Sequence, residues 1–484
     1  MAPAVKQVRR LQTACDRCYR LKERCSRQSI TDICGRCARL GLVCATVRPP
    51  RPAGRKPRRV QDDRNVETSA GSTSSACSAN TSLAPHDIGK WITDLSDLGQ
   101  HEKKKLLFLL DQPENLSTYV VSPRFQDAER RSLAAHLPAA LPVLLDAYLA
   151  RAGALKLKYP DNHDMAETVD DGHVNLLHAS SAMETLRALP VATPQDAALC
   201  LTLGISLALF GYSTLGQGVY EISRHCLSMT RPFIETEMLD PEAERSLTFL
   251  VLMEIMECLV QRRRPTIRFP ERQPLGLEAD VVDRHLGLCV PLLPYYHDLC
   301  VVSHSLANTT DASYLALVET QLGRIQAEVE AWQPSQPDQF MEQFQSTEVV
   351  QLLTQARVYR LAALLVSHRL RYTFGAQDEQ AGIWAREIMI ELELARRITR
   401  RSAHCVTLPF IAAALEMQDP AARHQALQNV DVYVDQFAPM VQKATKTFLS
   451  RVWAERDNKV TASWFDSTCK PCVVLASIDT ALFG

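Results

Sequence analysis

Long apolar segments are missing from this chain of 484 residues. No stretch reaches the roughly 18 uninterrupted apolar residues that indicate a membrane-spanning helix. The longest, residues 197–210, contains Thr202, Gly204 and Ser206 and predicts a buried core helix instead. The N-terminal sequence MAPAVKQVRRLQTACDR has basic residues but no apolar run behind them, so we expect no signal peptide. These absences favour a soluble intracellular protein without a membrane partner.

Catalytic motifs are also absent from the sequence. There is no H-E-x-x-H, Walker A or dinucleotide-binding glycine pattern. The segment GYSTLG at 211–216 is not a nucleophile elbow, because its spacing is one residue too long and no strand precedes it. The pair Cys469 and Cys472 has no second ligand pair nearby, and His225 and His304 lie on apolar helices as core histidines do. We therefore expect no enzyme activity and no catalytic residue.

Charge divides the chain into two unlike parts, although its net charge is only −1. Residues 1–60 contain 16 Lys and Arg against 3 acidic residues, a net charge of +13, so the remainder carries −14. A small basic head on a large acidic body indicates contact with nucleic acid or another anionic surface at one end. The overall composition, 46% hydrophobic and 23% charged, excludes a mostly disordered, collagen-like or coiled-coil chain.

The order of segments predicts a head, a linker and a body. Residues 11–45 are rich in cysteine, and residues 46–87 are first basic and proline-rich, then rich in Ser and Thr. Apolar residues at helical spacing occupy 88–484, and they predict a large, mostly all-α domain. The best-marked helix spans 240–265, with Asp240 as N-cap and Pro265 as the stop signal. Further helices are predicted over 163–189, 311–333, 346–373, 377–403 and 420–450.

Six of the fifteen cysteines lie within thirty residues, and the unit C-x2-C-x6-C occurs twice. The repeats CDRCYRLKERC and CGRCARLGLVC predict two similar short helices related by a pseudo-two-fold axis. Structural zinc requires four ligands, and residues 1–60 contain no histidine that could be one of them. Six thiolates therefore either complete the coordination of one zinc ion, with two thiolates left over, or complete that of two zinc ions if two sulfurs are shared between them. We favour two structural Zn²⁺ ions, whose binding should supply the folding energy of so small a domain. The predicted ligands are Cys15, Cys18, Cys25, Cys34, Cys37 and Cys44.

Residues 15–44 resemble the DNA-binding domain of the fungal binuclear zinc cluster (Zn2Cys6) transcription factors. The resemblance implies that the first helix enters the DNA major groove at a CGG-type triplet and that Cys15 and Cys34 bridge the metals. Lys22 corresponds to the family's base-reading lysine. Two departures are Leu21, where the family often has a basic residue, and a loop SRQSITDI without the family's usual proline. A zinc-binding interaction module is the alternative; a RING element would need wider gaps and usually a histidine.

Basic residues around the cluster complete the predicted DNA interface. The segment PPRPAGRKPRR is interpreted as a nuclear localisation signal that also contacts phosphates, or alternatively as an AT-hook-like arm in the minor groove. Both interpretations place the protein in the nucleus. Together with Lys22, the predicted DNA-binding residues are Arg17, Arg20, Arg24, Arg51, Arg55, Lys56, Arg58 and Arg59.

The resemblance implies a zinc-dependent RNA polymerase II transcription factor whose partners are double-stranded DNA and the transcription machinery. We interpret it as an activator of a fungal secondary-metabolite gene cluster, with a nutrient or drug-response regulator as the alternative. A different class, a zinc-stabilised interaction scaffold or co-repressor subunit, also fits the head. Apolar residues over 88–98 cover about one and a half heptads, too few for a coiled coil. The sequence therefore leaves open a monomer or a homodimer formed by the body, and a small-molecule effector is not identified.

Overall fold

The computed structural model describes residues 15, 18, 25, 33–39, 44, 88–111, 113–156, 169–239, 241–269, 282–308, 312–334 and 340–465. The chain divides into two units, Met1–Ala79 and Asn80–Gly484. In the first unit a short helix, α1 (Gly35–Arg39), carries Cys37 of the second cysteine repeat, and Cys18 of the first repeat is also helical. The second unit is a large helical body.

The first half of the body begins with α2 (Ile88–Asp94), α3 (Gln100–Leu110) and α4 (Gln126–Ala135). It continues with α5 (Leu137–Lys156), α6 (Val169–Ala188), α7 (Pro194–Phe210), α8 (Val219–Glu235) and α9 (Pro241–Gln261). Short 3-10 segments span Pro113–Tyr119 and Pro123–Phe125, and a π-helical turn spans Gly211–Leu215. Non-helical dihedral angles at Ala140 mark a kink in α5, two residues before Pro142, whose ring disturbs the preceding turn.

The second half of the body contains α10 (Leu293–Asn308), α11 (Ala312–Ala331), α12 (Phe340–Gln343) and α13 (Ser346–Arg371). It ends with α14 (Asp378–Thr399), α15 (Thr407–Leu415), α16 (Pro420–Tyr433) and α17 (Pro439–Asp457). A 3-10 turn, Val290–Leu292, precedes α10. The large helical region fits the predicted, mostly all-α domain.

The core of the body lies between consecutive helices that pack on one another. Helix α7 packs against α5, α8 and α9, and it is buried along nearly its whole length because almost every residue from Ala197 onwards is apolar or small. Helix α13 packs against α11, α14 and α15 and has an equally extensive buried face. The expectation of a buried core helix over 197–210 is therefore confirmed.

Two helical segments, Pro194–Leu215 and Ser346–Arg371, are long and apolar enough to cross a membrane by length and composition alone. The bent pair Pro123–Ala135 and Leu137–Leu155 passes the same test if it is counted as one span. Within the fold, 83% and 78% of the apolar windows of the two single helices are buried. Their apolar residues thus form the interior of the helical body.

Several predicted helix boundaries were close, and two predictions differ from the structure. The predicted helices 311–333, 346–373 and 377–403 correspond to α11, α13 and α14 within a few residues. Helix α9 ends at Gln261 rather than at Pro265, because Arg262 takes a left-handed conformation with φ of 52°. The predicted helix 420–450 is two helices, since the chain leaves the helical path at Val434 and starts again at Pro439, an N-terminal proline. Asp240, the predicted N-cap of α9, lies outside the described residues.

Candidate zinc cluster

Four cysteine sulfurs of the head converge at one point. The Sγ atoms of Cys15, Cys18, Cys34 and Cys37 all lie within 4.8 Å of one another, and all four side chains are buried. The Sγ of Cys15 is 3.9 Å from that of Cys34 and 3.9 Å from that of Cys37, and the sulfurs of Cys18 and Cys34 are 3.7 Å apart. The two C-x-x-C pairs, sixteen or more residues apart in sequence, therefore share one site.

These separations fit thiolates around a metal ion. With zinc–sulfur bonds of about 2.3 Å, the sulfurs of a tetrahedral site are separated by about 3.8 Å. The observed values of 3.7 to 3.9 Å agree with this edge length. Cys25 and Cys44 pack against the same cluster, so two further sulfurs adjoin it. The donor set, all sulfur and largely buried, is of the kind that holds structural zinc.

Backbone hydrogen bonds repeat between the two halves of the cluster. In the first repeat the N–H of Cys18 donates to the sulfur of Cys15 over 3.5 Å, and the N–H of Cys15 donates to the sulfur of Cys25 over 3.3 Å. In the second repeat the N–H of Cys37 donates to the sulfur of Cys34 over 3.4 Å, and the N–H of Cys34 donates to the sulfur of Cys44 over 3.4 Å. Sequence reasoning named these cysteines as candidate ligands but missed the backbone donors, for which the repeated C-x2-C-x6-C spacing was the available signal.

Equivalent cysteines of the two repeats also correspond in the direction in which the pKa values of their thiols are shifted. The backbone N–H of Cys37, donating to the sulfur of Cys34, lowers the pKa of the Cys34 thiol to about 6. Cys15 is the equivalent cysteine of the first repeat. Burial favours its neutral thiol, but hydrogen bonds to its sulfur, the largest contribution coming from the Cys18 N–H, outweigh burial and lower the pKa of Cys15. Burial raises the pKa of Cys18, and the neighbouring Cys34 sulfur raises the pKa of Cys37 to about 12. Cys15 and Cys34, whose sulfurs lie 3.9 Å apart, are therefore the two equivalent cysteines whose thiol pKa values are lowered.

The predicted DNA-contacting residues lie outside the described residues. This applies to Lys22, to the arginines around it and to the basic arm; the positions are Arg17, Arg20, Arg24, Arg51, Arg55, Lys56, Arg58 and Arg59. Cys469 and Cys472 also lie outside them. The structure therefore describes the six sulfurs of the candidate cluster but not the side chains that we expect to contact DNA.

Other signals in the body have structural explanations. GYSTLG forms the π-helical turn at the end of α7, and the buried Ser213 hydroxyl donates to the carbonyl of Leu209 over 2.7 Å. The Nδ1 of His304 lies 2.9 Å from the carbonyl oxygen of Arg262. Met253 is buried in the core and lines a small cavity together with Tyr119 and Asp435. That cavity has room for about one water molecule.

The sequence model for the fungal-specific transcription factor domain matches residues 144–475. The chain belongs to this family. No match was found among curated proteins or among solved structures. The matched region covers most of the helical body and begins well after the cysteine cluster. Membership makes the protein a fungal transcription regulator, and the family suggests DNA and the transcription machinery as partners and the nucleus as its location.

Proposed function

We propose that the protein is a zinc-dependent, sequence-specific DNA-binding factor that reads CGG-type triplets in the major groove. The observation that carries this proposal is the cluster of six cysteines in two equivalent halves, in a chain whose body is a fungal regulatory domain. In this proposal the thiolates of all six cysteines would hold two Zn²⁺ ions. Zinc, when bound, supplies the cross-links that hold so small a domain folded.

The chain's own residues position the reader helix in this proposal. The shared sulfur site ties Cys15 and Cys18 of the first repeat to Cys34 and Cys37 of the second, so in this proposal the two repeats bind DNA as one unit. Lys22 donates to guanine O6 and N7, the commonest base-specific contact in the major groove. Arg17, Arg20, Arg24 and the basic arm of residues 51–59 neutralise phosphates, which contributes affinity but no base preference.

The proposal also includes the kind of genes that the protein regulates. The resemblance to the zinc cluster family favours an activator, here of a secondary-metabolite gene cluster, acting through RNA polymerase II in the nucleus. A nutrient or drug-response regulator is the alternative within the class. A zinc-stabilised interaction scaffold or co-repressor subunit is the alternative of another class, and it would need no base preference.

Selection from random oligonucleotides with zinc-loaded, full-length protein tests the proposal. We expect enrichment of CGG-type triplets, with binding that weakens as salt rises at a log–log slope of about −4 to −6 for about 5–7 phosphate contacts. A folded, zinc-loaded protein that enriches no sequence would contradict the proposal and favour the scaffold.

Lys22→Ala tests the base-reading assignment. We expect a loss of about 1–3 kcal/mol on the selected site and little change on random DNA, because phosphate contacts do not discriminate sequence. The matched control is Lys56→Ala in the basic arm, which should weaken both DNAs equally. Equal losses from Lys22→Ala on both DNAs would remove Lys22 from the reading role.

Cys18→Ala tests the metal site itself. Loss of a ligand should prevent zinc-dependent folding of the head, measured as zinc per chain and as loss of site-specific binding. Cys258→Ala is the control, because Cys258 is buried in the body core. A Cys18→Ala variant that still holds two zinc ions would refute the cluster.

A further inference from the structure

Four arginines lie close together where helix α14 ends. Arg396 and Arg397 belong to its last turn, and Arg400 and Arg401 follow directly after the helix. Residues 393–404 contain these four arginines and one glutamate, a net charge of +3. The chain after its basic head carries −14 as a whole. The end of α14 is therefore a local reversal of the charge of the body.

Two of the four arginines already have a partner. The carboxylate of Glu393 accepts hydrogen bonds from Arg396 over 3.0 Å and from Arg397 over 2.7 Å. Arg400 and Arg401 are exposed and form no ion pair with any residue that the structure describes. The positive charges of these two side chains therefore face solvent without a carboxylate from the described part of their own chain.

The dipole of α14 accounts for only part of this cluster. Cations are favoured within the last turn of a helix, where Arg396 and Arg397 already lie, and the effect falls off beyond that turn. Arg400 takes a left-handed conformation with φ of 59°, at a position where helices usually have glycine. Side chains other than glycine disfavour this conformation. An arginine retained there indicates a role for its charge other than capping the helix.

Side chains of α13 and α14 hold the backbone after α14 in place. The carbonyl oxygen of Arg401 accepts hydrogen bonds from the Thr399 hydroxyl over 2.9 Å and from the Gln351 amide over 3.5 Å. The N–H of Arg401 donates back to the Thr399 hydroxyl over 3.3 Å. The Gln355 amide donates to the carbonyl oxygen of His404 over 3.1 Å. A surface held in this way loses little conformational entropy when a partner binds.

A surface groove begins directly after Arg401. Residues 402–404 line it on one side, and residues 432–437, at the end of α16 and just after it, line it on the other. The Gln436 amide donates to the Ser402 hydroxyl over 3.3 Å and joins the two sides. Polar and apolar groups share the lining, which suits a segment that brings both a backbone and side chains.

One carboxylate, that of Asp435, also lines the groove. The hydroxyls of Tyr212 and Thr407 donate to its Oδ2 atom over 2.9 Å and 3.0 Å, so hydrogen bonds from the body stabilise this charge. Arg400 and Arg401 outnumber it beside the groove. The surface as a whole therefore favours a negatively charged partner.

An acidic peptide suits this surface better than DNA does. DNA is a long polyanion, and the acidic remainder of the body repels it over about 8 Å at physiological salt. A short peptide contacts the arginines and the groove without approaching the rest of the body. Each Asp or Glu carboxylate accepts two parallel hydrogen bonds from one guanidinium, which gives such a contact direction as well as charge.

We propose that the end of α14 and the adjoining groove bind an acidic peptide segment of a partner protein, with Arg400 and Arg401 pairing with its Asp or Glu side chains. The proposal concerns the body alone and is independent of the DNA-binding proposal. Exposed ion pairs contribute little each, so we expect a dissociation constant on the order of 10–100 µM that rises with salt.

Photo-cross-linking to the full-length, zinc-loaded protein tests the proposal. The probe is a peptide in which Glu alternates with Leu and Ser and which carries one benzophenone group; the control peptide has Gln in place of Glu. We expect mass spectrometry to find cross-links from the acidic peptide within residues 396–404 or 432–437 and none there from the control. Cross-links confined to the basic head, or equal labelling of the body by both peptides, would overturn the proposal.

The double variant Arg400→Gly/Arg401→Gln tests the two arginines. Glycine suits the left-handed conformation at position 400, so the variant removes both charges without straining the backbone. Below saturation we expect the yield of cross-links to the body to fall about tenfold. Arg187→Gln/Arg324→Gln is the matched control, since it removes the same charge from two exposed arginines on α6 and α11. Circular dichroism checks that both variants are folded.

Two results with these variants would overturn the proposal. Equal losses of cross-linking in both double variants would show a general attraction between the peptide and the protein rather than a site. A loss of affinity for a random-sequence DNA duplex in Arg400→Gly/Arg401→Gln, as large as its loss of cross-linking and absent from the control variant, would show that the arginines contact DNA phosphates instead. Unchanged DNA binding together with weaker peptide cross-linking is the expected result.

Discussion

The buried carboxylate of Glu257 on α9 contributes a pH dependence to the stability of the body. Its side chain is largely buried and accepts a hydrogen bond from Gln261 on the next turn. Burial raises the pKa of Glu257 to about 7, with Glu221 adding repulsion and Arg263 opposing the shift. The folded protein therefore holds this proton more tightly than the unfolded chain does.

The sign of the resulting pH effect follows from linkage. Because the folded pKa is the higher one, the stability contributed by this group is complete below about pH 4.5 and is lost as the pH rises towards 7. Glu257→Gln removes the titration and should stabilise the body at pH 8 by about 1–3 kcal/mol relative to wild type, with little difference at pH 4.5. Urea unfolding of both proteins at the two pH values measures this difference. If the difference in unfolding free energy between the two proteins is the same at both pH values, the raised pKa does not belong to Glu257.

At the scale of helices, α7 and α8 approach closely at Gly204. A Cβ atom at this position would lie 2.3 Å from the Sγ of Cys226 and 3.3 Å from its Cβ. Gly204 has no positive φ, so its role is to permit this contact rather than an unusual backbone conformation. The sequence shows Gly204 only as an interruption in an apolar run, and the partner helix that requires it is visible only in the fold.

Gly204→Ala should destabilise the body by about 1–3 kcal/mol through overpacking against Cys226. The double variant Gly204→Ala/Cys226→Ala should recover most of this loss, because the clashing sulfur is removed. Gly382→Ala on α14 is the control, since nothing lies within 4 Å of a Cβ atom there. Thermal unfolding of the four proteins gives the comparison; no recovery in the double variant would place the strain elsewhere.

At the scale of the whole molecule, the head and the body have separate cores. The buried cysteines of the head form one cluster, and the apolar residues of the body form another that contains none of them. The head's cluster consists of cysteine side chains, the candidate metal ligands, whereas the body buries mainly aliphatic and aromatic groups. Loss of metal should therefore affect the two parts differently.

A strong zinc chelator should abolish site-specific DNA binding and leave the helical body folded. We expect the main thermal transition and nearly all helical circular dichroism to remain, because the body core does not depend on the cysteine cluster. Binding should return when zinc is added back. Collapse of the helical signal on chelation would show that the body also requires the metal.

The amino-acid sequence alone determined the candidate metal ligands and the class of the body. The repeated C-x2-C-x6-C pattern identified the six cysteines because a metal site needs particular ligand types at particular spacings. Helical periodicity identified about half of the body helices, because burial selects apolar residues at that period. The break between α16 and α17 was missed, since Pro439 also suits the first turn of a new helix and the pattern on either side is helical.

Only the tertiary structure decided which residues meet across the chain. It brought the two C-x-x-C pairs to one point and placed backbone N–H donors next to the sulfurs of Cys15 and Cys34. It also packed Gly204 against Cys226 and buried the side chain of Glu257. On α14 it left Ile390 and Leu394 exposed, although they are as apolar as their buried neighbours Ile388 and Leu392. A sequence pattern records the apolar faces of a helix, but which face is covered depends on the neighbours that the rest of the chain supplies.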